Sequence, residues 1–182
     1  MKNRLIACAV VVSALLLCVA AQPKDTTAPP VDDPLQSVVP YIGGEWRING
    51  AWSDGRAIKA RETFEWGVGK KFIVCKTFVA KPDGGEYQRY ETIFGAQDGK
   101  LMVWVFTFDG HTESGPWQID GKKLFGTRQL HAADGSSGGT VHQSIELVEP
   151  NKFRWLVAIE KDGKTDQVID GVWERTTTSV SR

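Results

Sequence analysis

The chain has 182 residues, 41% hydrophobic and 24% charged, with 22 basic residues balanced by 22 acidic ones. That length makes a single domain with a sizeable core, and a formal charge of zero excludes the basic surface a nucleic-acid binder needs to displace counterions. Seven Trp, eight Phe and three Tyr exclude a disordered chain, and three Cys are too few for a disulfide framework.

Residues 1–21 read MKNRLIACAVVVSALLLCVAA. Lys2 and Arg4 give a positive start, Leu5 to Val19 an apolar run, and Val19-Ala20-Ala21 small residues for cleavage. This is the pattern of a secretory signal peptide, cut after Ala21, and the run is short for a membrane span. The alternative is a lipid anchor at Cys18, where Leu15-Leu16-Leu17-Cys18 is placed like a bacterial lipobox but has bulky Leu17 where a small residue is expected. Without Lys2 and Arg4 the net charge is −2. Cys75 is then the remaining thiol, expected to be buried within Phe72-Ile73-Val74-Cys75. Residues 22–42, with Pro23, Pro29, Pro30 and Pro34, read as a flexible leader, and 176–182 as a polar tail. The expected location is the periplasm or outside the cell, with no transmembrane segment in the mature chain.

From Gly43 onward, turn signals recur every 8–15 residues or so, most of them Asp-Gly: 54–55, 83–84, 98–99, 109–110, 120–121, 134–135 and 162–163. Asp-Gly between alternating runs is the strongest short hairpin signal. The implied strands lie near 44–52, 58–66, 70–80, 86–96, 101–108, 112–119, 123–132, 139–148, 152–160 and 166–175. Every connection is short, so each strand is expected to pair with the next, without the crossovers of a Greek key. The predicted fold is all-β: a ten-strand antiparallel up-and-down barrel over 43–175. Closure removes exposed edges, and ten strands enclose more space than side chains readily fill.

Alternation sorts the faces. Trp46, Ile48, Gly50 and Trp52 share one side of the first strand, and Ile58, Ala60, Phe64 and Trp66 one side of the second. In the ninth, Phe153, Trp155, Val157 and Ile159 fall together. The fifth strand, from Leu101 to Phe108, is apolar on both faces, which implies that part of the outer wall is covered. Four polar residues sit on apolar faces: Glu62 between Ala60 and Phe64, Arg128 between Gly126 and Leu130, Gln143 between Val141 and Ile145, and Asp170 between Val168 and Val172. Buried charges must be paired, so the four are expected to share one internal network, in a cavity with Trp46, Trp66 and Trp155. Such a network either grips the polar end of an otherwise apolar ligand or is a closed structural element. Trp52, Phe64, Trp104 and Trp117 are further candidates for the cavity wall or the core.

No nucleophile elbow, zinc-protease motif or dinucleotide fingerprint is present, and Gly135-Ser136-Ser137-Gly138-Gly139 has no helix behind it to bind phosphate. His131 and His142 fall on adjacent strands without the further ligands a zinc site needs. Haem, which needs one axial His, is the alternative to a barrel without a cofactor; His111 reads as a turn residue.

Gly44-Glu45-Trp46 opens the first strand as G-x-W, and Trp173-Glu174-Arg175 closes the last. This pairing resembles the calycin superfamily of lipocalins and fatty-acid-binding proteins. The resemblance implies that Trp46 plugs the barrel base and Arg175 stacks over its ring. GGEWRINGAWSDG, ARETFEWGVGKKFI, EYQRYETIFG and DGVWER further resemble an uncharacterised bacterial family of exported lipocalin-like proteins (DUF1579-like), over most of 43–175. The paired cysteines of many lipocalins are missing, as is the helical lid of fatty-acid-binding proteins. The resemblance implies a barrel and small-molecule binding, with no established activity. Three functions follow: a non-catalytic carrier of a small apolar or amphipathic molecule; an enzyme using Glu62 or Asp170 as general base; or an interaction module whose barrel is filled.

Overall fold

The structure, a computed structural model, describes residues 33–176; the signal-like segment, Cys18, residues 22–32 of the leader and residues 177–182 lie outside the described residues. Ten strands run in order: β1 Glu45–Ala51, β2 Ala57–Trp66, β3 Phe72–Ala80, β4 Glu86–Gln97, β5 Lys100–Thr107, β6 Thr112–Asp120, β7 Lys123–His131, β8 Ser137–Glu149, β9 Lys152–Lys161 and β10 Lys164–Thr176. Each is antiparallel to the next, and β10 pairs back onto β1, so the sheet is a closed ten-strand barrel. Turn chemistry sets the boundaries. Asp98-Gly99 and Asp162-Gly163 each hold two successive residues at positive φ, the geometry of a two-residue hairpin turn.

In a closed meander alternate turns share an end. One end, the base, carries Gly43-Gly44, where the chain enters β1, and the β2–β3, β4–β5, β6–β7 and β8–β9 turns; the other, the mouth, carries the remaining five. The largest fully buried side chains include Trp46, Tyr41, Phe153 and Trp173. Trp46 and Phe153 meet edge-on at 4.9 Å between centroids, and Phe153 stacks on Trp173 at 5.9 Å.

The flexible leader expected over 22–42 is corrected in its last part. Pro34–Ser37 and Val39–Tyr41 form two short 3-10 helices, and Leu35, Val38 and Tyr41 are 2%, 0% and 1% exposed. The physical reason is their spacing of three, which 3-10 geometry places on one face. That face joins the aromatic core, with Tyr41 5.3 Å from Phe153 and 5.5 Å from Phe64.

Backbone and side chains bind this segment to the closure of the sheet. Trp46 and Arg175 are register partners across β1 and β10. The Trp46 indole N–H donates to the Tyr41 carbonyl at 2.8 Å. The Arg175 guanidinium carbon lies 4.2 Å from the Trp46 ring centroid, and the same side chain donates to the Pro40 carbonyl. Gly44, at φ +71°, leaves room for it: a Cβ there would sit 3.1 Å from Arg175 Cγ.

Strand β5 turns Leu101, Val103 and Val105 inward, where they are buried. Trp104 faces outward. On that outer wall its ring and that of Phe72 cover Gly95, where a Cβ would meet Trp104 Cζ3 at 2.9 Å and Phe72 Cδ1 at 3.1 Å. Around Gly95 the outer wall is therefore covered by the barrel's own aromatic rings, and Trp104 is not part of the cavity.

Replacing Arg175 by Met keeps an unbranched apolar stem but removes the cation over the indole and the bond to Pro40. Urea denaturation should give a loss of about 1–2 kcal/mol; an unchanged midpoint would mean that the contact does not hold the base.

Candidate functional site

Above the aromatic base the lumen holds three adjoining chambers. A mouth chamber of about 370 Å³ is walled by Trp52, Tyr87, Tyr90, Trp155 and two arginines, Arg56 and Arg89. A middle chamber of about 120 Å³ carries Glu62, Glu113, Arg128 and Gln143 among Val141, Val157 and Trp155. A pocket of about 30 Å³, room for one water, lies between Glu62, Cys75, Gln143 and the rings of Phe64, Phe94 and Trp117. Trp155 borders all three.

The polar groups of the middle chamber form two separate sets. On β6, β7 and β8, Arg128 Nε donates to Glu113 Oε2 at 2.8 Å and Arg128 Nη2 donates to Gln143 Oε1 at 2.5 Å. A second contact joins Arg128 Nη2 to Glu113 Oε2 at 2.7 Å. The side chains of Arg128 and Glu113 are only 4% and 11% exposed, and the guanidinium sits 5.6 Å from the Trp117 ring. Burial lowers the arginine's pKa, and Glu113 offsets part of that shift. This is a buried ion pair with an amide attached.

The second set is on β2 and β3. Glu62 is the register partner of Thr77, whose hydroxyl donates to Glu62 Oε1 at 2.8 Å. No ion pair to Glu62 is found among the described residues. Its residual surface faces the chamber and not bulk solvent. Burial pushes its pKa up to about 7, against the opposing hydrogen bonds of Thr77 and Cys75. Cys75 is buried and unbridged, and its thiol is held well above its ordinary range by burial and then by the Glu62 charge.

Strands β2 and β7 are five apart in either direction around the ring, so these sets occupy opposite walls. The structure thus brings Arg128 and Gln143 together, leaves Glu62 separate in the same chamber, and places Asp170 elsewhere. Asp170 is on the outer face, accepting from Arg154 Nε at 2.7 Å, and that partner lowers its pKa. The reason is a β-bulge: Gln167 pairs with Ala158 and Ile169 with Val157, so Val168 is an extra residue and the alternation changes phase. Val168 and Ile169 both turn inward, and Asp170 turns out. Glu113, absent from the sequence-derived set, takes the role expected of Asp170.

Two tryptophans are also corrected. Trp46 belongs to the base, beneath the chambers, and Trp66 is half-buried at the end of β2 against that base; neither lines a chamber. Thr77, with Ile73 and Cys75 on the inner face of β3, carried a readable signal in its i±2 neighbours. Tyr87 and Arg89 owe their place to a second bulge, where β4 pairs Tyr90 with Thr77 but Gln88 with Phe78.

No histidine lines a chamber. His142 contacts Glu160 at 3.1 Å on the outer wall, His111 lies 3.4 Å from Asp109 in a mouth turn, and His131 is exposed. The lumen therefore offers haem iron no imidazole. Among the described residues no cluster of three or more His, Cys, Asp or Glu is placed to hold a metal ion.

No protein-family model matches the chain, and no curated protein matches it. Solved structures do share its fold. The crystal structure of Rv2717c from M. tuberculosis aligns with a TM-score of 0.54 at 18% identity, over 82% of this chain and 99% of that one. A redesigned β-barrel, b11L5F_LGL, aligns at 0.42 and 11% identity over 78% of this chain and 96% of its own. The barrel EF1p2_mFAP2b bound to DFHBI aligns at 0.41 and 10% identity, over 79% and 99%. The first likeness establishes a shared barrel fold; the other two are more distant.

Glu62 also makes stability depend on pH. Its folded pKa, near 7, lies above its ordinary 4.5, so the folded state binds the extra proton, and stability falls as pH rises through that interval. Glu62→Gln should therefore stabilise the fold by about 3 kcal/mol at pH 8 and by almost nothing at pH 4.5. Thermal unfolding at both pH values checks the difference.

Proposed function

We propose that this chain is an exported carrier that holds a small apolar or amphipathic molecule inside its barrel and performs no catalysis. The observation that carries the reading is the lumen itself: chambers walled by aromatic and aliphatic side chains, with a few polar groups aimed inward, the usual make-up of a small-molecule site. Glu62 supports the same reading, because it stands in the lumen as a carboxyl group without a cation to pair with. The G-x-W and terminal Arg175 pattern, with its likeness to lipocalins and to DUF1579-like exported proteins, supports the same reading. The signal-like pattern of residues 1–21 supports export to the periplasm or beyond, with a lipid anchor at Cys18 as the alternative form.

The pKa of Glu62, pushed up to about 7, favours a second reading, in which Glu62 is the general base of an enzyme. Its nearest reactive neighbour, Cys75, is a buried thiol held protonated, which is the state of an inert cysteine. Arg128 is already committed to Glu113 and Gln143. The lumen thus assembles a binding surface more completely than a reaction centre.

Native mass spectrometry of protein purified from its own compartment should reveal a retained small molecule. The purified barrel should bind the apolar probe Nile red, and Val157→Trp, which fills the middle chamber, should weaken that binding at least about tenfold while leaving the β-sheet circular dichroism intact. Absence of both a retained molecule and probe binding would assign the barrel to a filled, structural role.

A further inference from the structure

On the premise that the barrel is a carrier, the charges of its lumen define the polar group of the occupant. Three guanidiniums line the chambers, and each has a carboxylate of its own: Arg128 has Glu113 at 2.7 Å, Arg89 has Asp109 at 3.2 Å, and Arg56 has Asp54 at 2.7 Å. Glu62 is the opposite case. Its Oε1 accepts the Thr77 hydroxyl, and its other neighbouring donor is the weakly donating Cys75 thiol; neither brings a positive charge. The groups around it supply no positive charge. Trp46 is its partner from β1, and Thr77 and Cys75 face it from β3. Thr92, Gln143 and Trp155 complete the shared walls from β4, β8 and β9. The charged pair on the far wall of the chamber is neutral as a unit.

We propose that the ligand is an amphipathic amine whose ammonium group docks on the Glu62 carboxylate, and that the barrel discriminates against carboxylates. An ammonium there would gain a charge-assisted hydrogen bond and compensate a carboxylate otherwise isolated in a low-dielectric lumen. The ring of Trp155, which borders the same chamber, is suited to a cation, whereas the Tyr90 ring already carries the Arg89 guanidinium at 5.5 Å. An incoming carboxylate would meet the charge of Glu62 and an arginine whose charge Glu113 already neutralises. Burial holds the pKa of Glu62 near 7, so protonation below that pH removes the anion that the ammonium needs.

The test uses the mature chain and displacement of Nile red by octylamine, octanol and octanoate. At pH 8 octylamine should displace the probe at concentrations at least about tenfold lower than octanoate, and its affinity should fall about tenfold at pH 6. Glu62→Gln should abolish the preference for the amine while octanol competes as before. Glu113→Gln, which frees the Arg128 guanidinium, should strengthen octanoate. Octanoate binding as tightly as octylamine, or an amine preference that survives Glu62→Gln, would overturn the inference and leave the carrier intact. A barrel that binds Nile red but yields it to none of the three would overturn it too. A barrel that binds neither Nile red nor any retained molecule would remove the carrier itself.

Discussion

The ladder between β1 and β10 is the constraint on which everything else rests. An open ten-strand meander would have two exposed edges and no interior; pairing Trp46 with Arg175 turns the same strands into a wall with one enclosed side. Arg175 reinforces that junction by lying over the Trp46 ring and bonding to the Pro40 carbonyl. The 3-10 segment at Pro34–Tyr41 is thereby fixed across the base, and Tyr41, Trp46, Phe153 and Trp173 pack together there. One end of the barrel is thus filled with rings, and the free volume lies towards the other.

Because a closed sheet has a single inside, the polar residues sharing its inner face must find partners across the lumen or along the wall. Arg128, Glu113 and Gln143 do so on three adjacent strands, and their mutual bonds leave that wall electrically quiet. Glu62, on the opposite wall, has a hydroxyl and a thiol for partners and no cation. In a low-dielectric interior an isolated carboxylate is costly, and it lowers that cost by taking up a proton or a ligand. The chambers beside it give a ligand the space. Structure and proposed function meet at that one side chain.

Much of this was legible in the sequence because the deciding interactions are local. Asp-Gly turns impose hairpin geometry within two residues, so strand limits such as 86–96 and 152–160 differ from the observed Glu86–Gln97 and Lys152–Lys161 by one residue at an end. Where alternation is unbroken, as around Glu62, Arg128 and Gln143, parity assigns the inner face. Asp170 was misplaced because the bulge at Val168 is a two-strand property, written in no local pattern of β10. Glu113 escaped notice because its face-mates, Gly115 and Trp117, make no apolar series. Gly115 has its own reason to be there: a Cβ would sit 2.1 Å from the Thr127 carbonyl oxygen of β7. The Pro34–Tyr41 plug was hidden by its prolines, although Leu35, Val38 and Tyr41 repeat at the 3-10 period.

The central claim is that Glu62 is an uncompensated carboxyl in the lumen, and its titration reads that directly. In protein labelled with ¹³C at glutamate carboxyls, the Glu62 signal, assigned by its loss in Glu62→Gln, should titrate at a pH near 7 in the empty barrel. Titration near 4.5, the ordinary value for glutamate, would mean that Glu62 is solvated or already paired, and would contradict the account.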